Sequence, residues 1–223
     1  MHGSSNEADP PLSQATLDGA GLADPAPVTD YRVRPATAAD ADAICRIYNQ
    51  GIEDRVATLE TELRTPEERR RWLANRSPRH PVVVAEATEP RFVGGHGGGE
   101  TEPGRTFVKP PTESSGLAAP ATMVGWGSLN VFNPREAYRF VADFSIYVER
   151  AWRGRGVGRA MLEALIELAR THGFHKLVLS AFPFNAGGGA LYEKLGFRTV
   201  GVYREQGLLD GKWVDTIIME KLL

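Results

Sequence analysis

Asp143-Phe-Ser-Ile-Tyr-Val-Glu-Arg-Ala-Trp-Arg-Gly-Arg-Gly-Val-Gly-Arg-Ala-Met161 reads as a strand, a glycine-rich turn and the start of a helix in direct succession. Phe144, Ile146 and Val148 alternate with Ser145 and Tyr147, the period of a half-buried strand. Arg153-Gly154-Arg155-Gly156-Val157-Gly158 then sets glycine at every second position. Met161, Leu162, Leu165, Ile166, Leu168 and Ala169 follow at helical spacing and give a broad apolar face. Glycines remove side chains, so backbone N–H groups can close on a ligand and positive φ becomes accessible. The helix start adds unsatisfied N–H groups and a partial positive charge. Arg153, Arg155 and Arg159 add full charges, so the turn reads as an anion site, most naturally for phosphate or pyrophosphate.

The spacing narrows the phosphate ligand. A P-loop requires Lys after its last glycine, and none is present. A dinucleotide fingerprint started at Gly154 or Gly156 would need Gly or Ala where Arg159 or Met161 stands. The following strand, Lys176 to Ala181, lacks the terminal acid that would hold a ribose. Arg153-x-x-Gly156-x-Gly158 does resemble the acetyl-CoA pyrophosphate loop of the GNAT acetyltransferase superfamily. The alternative is a glycine-rich connection with no ligand.

Bulk properties set the outer bounds. A chain of 223 residues holds one sizeable domain plus extensions. Hydrophobic content of 42% and charged content of 24% are ordinary for a globular protein, and a net charge of −2 gives no basis for nucleic-acid binding. The lone Cys45 forbids an intrachain disulfide and fits a reducing compartment, and no apolar run is long enough to span a membrane. The expectation is a cytoplasmic protein with no membrane partner and no metal site.

Residues 1–29 are rich in Gly, Ser, Ala, Pro and Asp without period and read as a disordered extension. The folded domain is expected over residues 30–223. It opens with a strand at Tyr31–Pro35 and a helix with Thr37 as N-cap and Asp40 in its first turn, which Gly51 loosens or ends. Glu53 to Glu62 reads as an irregular polar stretch. Thr65-Pro-Glu-Glu68 is a capping box with Pro at N1, starting a second helix whose Arg69, Arg70 and Arg71 read as a solvated face. Pro81–Ala87 is a strand, and residues 94–121 read as a low-complexity loop insertion. Strands are expected at Met123–Val131, Tyr138–Val148 and Lys176–Ala181. A short helix is expected at Ala190–Phe197, ended by Gly196, and a final hairpin turns at Asp210-Gly211. The fold class is α/β.

The resemblance extends beyond the glycine loop. Asn185 follows a strand, and Leu191-Tyr192-Glu193-Lys194-Leu195-Gly196-Phe197 comes after it. In GNAT enzymes the matching Asn holds the pantetheine arm and the matching Tyr lies beside the thioester sulfur. The likeness is nearest to the phosphinothricin and arsinothricin N-acetyltransferases. It is carried by Arg34-Pro-Ala-Thr37, Ile47-Tyr-Asn49, Thr65-Pro-Glu67, Asp143 through Gly158 and Gly211-Lys-Trp-Val-Asp215. It implies the GNAT fold, a central mixed, mostly antiparallel twisted sheet flanked by about four helices. Gly187-Gly188-Gly189 departs from the pattern and weakens the expected helix start, since each helical glycine costs about 1 kcal/mol against Ala.

The resemblance implies acetyl-CoA as co-substrate, a small-molecule primary amine as acceptor and a homodimer. Tyr147, Val148, Arg153, Gly154, Arg155, Gly156, Val157, Gly158, Arg159 and Asn185 are the expected acetyl-CoA residues. Asp143 stands where those enzymes usually carry a Glu proposed as base, and is the candidate base with Tyr192 as partner of the departing thiolate. The alternative for Asp143 is a strand residue bonded to a neighbouring chain or Arg. Glu53 is the reserve base. Arg55, Arg135 and Arg139 are candidate cations for an anionic acceptor. Other amines, or a non-catalytic acyl-CoA-binding module, remain competing readings.

Overall fold

The computed structural model describes residues 31–87 and 121–223. The expected N-terminal extension and residues 94–120 of the expected loop insertion lie outside these residues.

Among the described residues, strands are β1 (Tyr31–Pro35), β2 (Val82–Ala87), β3 (Thr122–Val131), β4 (Val141–Val148), β5 (Lys176–Ala181), β6 (Arg198–Leu209) and β7 (Lys212–Leu222). Helices are α1 (Ala41–Glu53), α2 (Pro66–Ala74), α3 (Val157–Thr171) and α4 (Ala186–Lys194). The strands form one sheet in the order β1-β2-β3-β4-β5-β7-β6. Every neighbouring pair is antiparallel except β4 and β5. That parallel pair is short, joining only Val141–Lys176, Ala142–Leu177 and Asp143–Val178. Beyond Asp143 the two strands part, and the sheet carries an open wedge at its centre.

Alternation along β4 assigns the two faces. Phe144 joins Leu162, Leu165, Ile166 and Leu177 in the core under α3. Tyr147 packs on the other face with Trp126, Tyr48, Ile44 and Ile52, beneath α1 and α2. The β6–β7 hairpin turns at Asp210 and Gly211, both at positive φ (49° and 77°), as an Asp-Gly turn between antiparallel strands requires.

Four local expectations change. Gly51 does not end α1; the helix runs to Glu53. A Cβ on Gly51 would sit 3.0 Å from two ring carbons of Tyr147, so this glycine lets the helix approach β4. Glu53 is accordingly helical rather than part of an irregular stretch. The segment Glu136–Tyr138 is a 3-10 turn closed by Tyr138 N–H to Arg135 C=O, which delays β4 to Val141. Finally, α4 begins at Ala186, not Ala190, because the Asn185 side chain accepts the Gly188 N–H at 3.1 Å and caps the glycine turn.

Candidate active site

The wedge between β4 and β5 is a cavity lined by Asp143, Ser145 and Tyr147 of β4, Leu179 and Ser180 of β5, and Asn185 and Tyr192 at α4. It runs into a second cavity through Ile146, Tyr147, Asn185 and Tyr192. That second space ends at Arg153, Gly154, Gly156, Gly158 and Arg159. The glycine loop and the Asp143–Tyr192 region therefore border one continuous channel.

The loop owes its shape to its glycines. Gly154 and Gly156 lie at φ of 76° and 88°, and Gly156 is the N-cap of α3. Ala160 N–H is the first to bond back within the helix, to Gly156 C=O. The N–H groups of Val157, Gly158 and Arg159 precede it and find no acceptor inside α3, which leaves them for an anion. The arginines divide. Arg153 pairs with Asp54 at 2.6 Å and Arg159 with Glu163 at 2.8 Å. Arg155 forms no ion pair among the described residues and lies 5.1 Å from the Trp152 ring. Asp54 also holds Arg150 at 2.6 Å, so the end of α1 is tied to the segment leading into the loop.

Strand alternation also exposes backbone donors. Glu149 N–H bonds to Val124 C=O of β3 at 2.9 Å. The preceding N–H, on Val148, points to the opposite side, where β5 has already parted from β4. Such a donor suits a developing oxyanion.

Asp143 lies at the vertex of the wedge, opposite Asn130 in the β3–β4 register. Burial pushes its carboxyl up to about 6, against the opposing influence of the Asn130 side chain and the Phe144 N–H. Asn130 is itself held: Ser128 Oγ and Arg76 donate to its Oδ1 at 2.9 and 3.2 Å, and its Nδ2 donates to Ser145 Oγ at 3.2 Å. No Arg or Lys pairs with Asp143 among the described residues. Tyr192 is packed edge-on against Phe144 and Phe197, with ring centroids 5.9 and 6.1 Å apart. Burial first and the Asp143 charge second push its pKa up. Its position is thus fixed by aromatic packing, and the glycines of α4 do not leave it loose. Tyr147 stacks on Trp126 (4.8 Å, 19°), and burial raises its pKa.

The remaining candidates are not brought to this channel. Glu53 is exposed at the end of α1 and pairs with Arg150 at 3.3 Å. Arg55 pairs with Asp210 at 3.0 Å, bridging α1 to the β6–β7 turn. Arg135 is exposed in the β3–β4 connection, and Arg139 pairs with Glu136 at 3.0 Å and lies over the Phe140 ring. None of these side chains lines the channel: Arg55, although next to Val56 in its wall, turns to the Ile52 C=O and Asp210, and the others meet a nearby partner or solvent.

A third cavity, of about 370 Å³, adjoins the wedge and shares Ser145 and Tyr147 with it. Tyr48, Arg69, Trp72, Trp126, Ser128 and Asn130 line it. Arg69 is here buried, not solvated. A signal was available: Arg69 stands three and four residues before Trp72 and Leu73, the helical spacing of one face. Arg70 and Arg71 do lie on the solvent side. No cluster of His, Cys, Asp and Glu suited to a metal occurs among the described residues, and none of their helices is long and apolar enough to cross a membrane.

Residues 52–197 match the Acetyltransferase (GNAT) family model. The protein YwnH of Bacillus subtilis (strain 168) is 30% identical over 191 residues, covering 86% of this chain and 98% of its own. The L-methionine sulfoximine/L-methionine sulfone acetyltransferase of Pseudomonas aeruginosa is 26% identical, over 84% of this chain and 92% of that one. A crystal structure of a GNAT superfamily phosphinothricin acetyltransferase from Sinorhizobium meliloti in complex with acetyl-CoA superposes with a TM-score of 0.68 at 26% identity. The match covers 86% of this chain and 88% of that one.

Proposed function

The chain belongs to the GNAT acetyltransferase family, and from that premise we propose that it moves an acetyl group from acetyl-CoA to the primary amine of a small amino-acid analogue of the phosphinothricin or methionine sulfoximine kind. The observation that carries this reading is the single channel joining the glycine loop to Asp143 and Tyr192. Acetyl-CoA would lie with its pyrophosphate on the N–H groups of Val157, Gly158 and Arg159, beside Arg153, Gly154, Arg155 and Gly156. The pantetheine arm would pass Tyr147, Val148 and Asn185 in the wedge.

The chemistry follows from the environments. An amine of pKa ~10 is neutral in only about one molecule in 10³ at pH 7, so deprotonation is worth ~4 kcal/mol of barrier. A carboxyl near 6 is still mostly ionised at pH 7 yet is about two units more basic than an ordinary carboxylate. Asp143 takes the ammonium proton, directly or through one water, given the short reach of its side chain. The amine nitrogen bonds to the thioester carbon while the Val148 N–H binds the oxygen as it gains charge. The C–S bond then breaks, and the second amine proton leaves with the thiol. The raised pKa of Tyr192 keeps its hydroxyl protonated beside a thiolate of pKa ~8.5, so it serves as a hydrogen-bond donor to the sulfur.

A homodimer is part of this proposal. Val200, Val202 and Tyr203 of the edge strand β6 and Trp213 of β7 are exposed apolar residues that a second copy would cover. A cytoplasmic location is proposed from the free thiol of Cys45.

The test is release of CoA thiol from acetyl-CoA with L-phosphinothricin, L-methionine sulfoximine and a panel of amino acids and polyamines, with product mass read in parallel. Turnover on the amino-acid analogues, lost in Asp143→Asn, is the expected result. Stabilisation by acetyl-CoA with no thiol release for any amine would replace this reading by that of an acyl-CoA-binding module.

A further inference from the structure

Arg69 is the buried arginine among the described residues. The residue is 8% exposed, and among the described residues its Nε has no hydrogen-bond partner and its guanidinium forms no ion pair. What surrounds it is aromatic: its Cζ lies 3.9 Å from the Tyr48 ring centroid and 5.5 Å from that of Trp72. The acids at the rim of the same cavity are engaged elsewhere. Glu68 accepts from Thr65 N–H at 2.7 Å and from Thr65 Oγ1 at 3.2 Å, closing the α2 capping box. Glu60 accepts from Arg64 Nε at 2.6 Å.

A buried guanidinium with no counter-charge among the described residues is costly unless an anion meets it. Arg69 lines a cavity of about 370 Å³ whose other lining includes Tyr48, Trp72, Trp126, Ser128 and Asn130. That cavity meets the wedge of Asp143 at Ser145 and Tyr147. A molecule with its amine at Asp143 thus has its remaining length in the space before Arg69. The group that complements a guanidinium there carries acceptor oxygens and a negative charge.

We propose that Arg69 is the specificity-determining anchor for the anionic group of the acceptor, a carboxylate or phosphinate carried on the same small molecule as the reacting amine. This rests on the acetyl-transfer reading for the amine end, and takes the place of Arg55, Arg135 and Arg139 as the source of the cation. Planar guanidinium geometry favours bidentate contact, so Lys is not an equivalent substitute.

The experiment compares wild type with Arg69→Met and Arg69→Lys. Met keeps an apolar stem in the aromatic box and removes the unpaired buried charge, so the fold and its stabilisation by acetyl-CoA are expected to persist. Acceptors are L-phosphinothricin, 3-aminopropyl(methyl)phosphinate, L-methionine sulfone and L-methionine sulfone amide. The phosphinate without a carboxylate and the amide without a charge separate the two sources of the anion. Arg69→Met is expected to lower kcat/KM at least ~30-fold for the acceptors bearing the recognised anion, through KM, and by less than ~3-fold for the acceptor lacking it. Arg69→Lys is expected to fall between. Acceptor binding is followed separately by titration calorimetry. Wild-type turnover with equal losses on charged and uncharged acceptors would overturn the role of Arg69 and leave acetyl transfer standing. Binding of the anionic amine that is lost in Arg69→Met, in an enzyme that turns over no amine, would uphold the anchor and remove the acetyl-transfer reading.

Discussion

Asp143 and Asn130 face each other across the β3–β4 pairing, and the amide of Asn130 is the main influence holding down a carboxyl that burial pushes up to about 6. The pair sets the basicity of the candidate base. Activity that needs the ionised form should rise with pH through about 6 on its acidic limb. Asn130→Ala removes the opposing interaction, so this limb should move to higher pH. The pH profiles of kcat/KM for both proteins are the check; coincident limbs would dissociate Asn130 from Asp143.

Asp143→Asn should separate activity from stability. As loss of a general base, it should lower kcat by about 10²–10⁴-fold at pH 7–8. The stability sign runs the other way. The folded carboxyl, near 6, binds its proton more tightly than the unfolded one at 3.8. Its contribution is therefore full below the unfolded value and is lost as pH rises through about 6. Above that, the buried charge destabilises the fold by on the order of 1–3 kcal/mol. The Asn variant should melt roughly 2–8 °C above wild type at pH 8 and level with it near pH 3.5, by thermal denaturation.

Gly51→Ala tests the contact between α1 and β4. Alanine gains up to ~1 kcal/mol in helix propensity, but its Cβ would meet the Tyr147 ring at 3.0 Å. Overpacking of ~1–3 kcal/mol should outweigh that gain. Because Tyr147 borders all three cavities, kcat/KM should fall about 10-fold as well. An alanine variant as stable and active as wild type would show that the ring moves aside freely.

Two loop glycines should differ. Gly154 and Gly156 share positive φ, yet a Cβ on Gly154 meets nothing within 4 Å while one on Gly156 would lie 2.6 Å from the Tyr31 hydroxyl. Gly154→Ala carries only the backbone strain of ~1–2 kcal/mol. Gly156→Ala adds a clash at the N-cap of α3, and should raise KM for acetyl-CoA at least ~10-fold with little change in KM for the amine. Steady-state kinetics with each substrate varied in turn resolves the two.

Tyr192→Phe keeps the ring between Phe144 and Phe197 and removes only the hydroxyl. A hydrogen bond to the leaving sulfur predicts a loss in kcat of roughly 3–10-fold. A loss above ~10³ would require full proton transfer from the tyrosine.

The sequence by itself determined the elements whose logic is local. The strand, glycine turn and helix of Asp143–Met161 follow from alternation, glycine conformation and helical spacing. The Thr65–Glu68 capping box and the Asp210-Gly211 turn are satisfied by neighbours a few residues away, so their residue types identify them without the fold. Asn185 and Tyr192 were legible through a motif. The start of α4 is not legible there, because the glycines argue against a helix while the Asn185 cap that offsets them acts from outside the apolar pattern. Only the tertiary structure decided the rest. The parting of β4 from β5 is a pairing between distant segments, and it alone opens the wedge that joins loop, Asp143 and Tyr192. Gly51 could not be recognised as a packing glycine until α1 lay on Tyr147. Arginines look alike in sequence, and what separates them is solvation. Arg55, Arg139 and Arg70 reach acids at the surface, whereas Arg69 is turned inward by a helix face that must bury Trp72, and there it meets aromatic rings in place of a carboxylate.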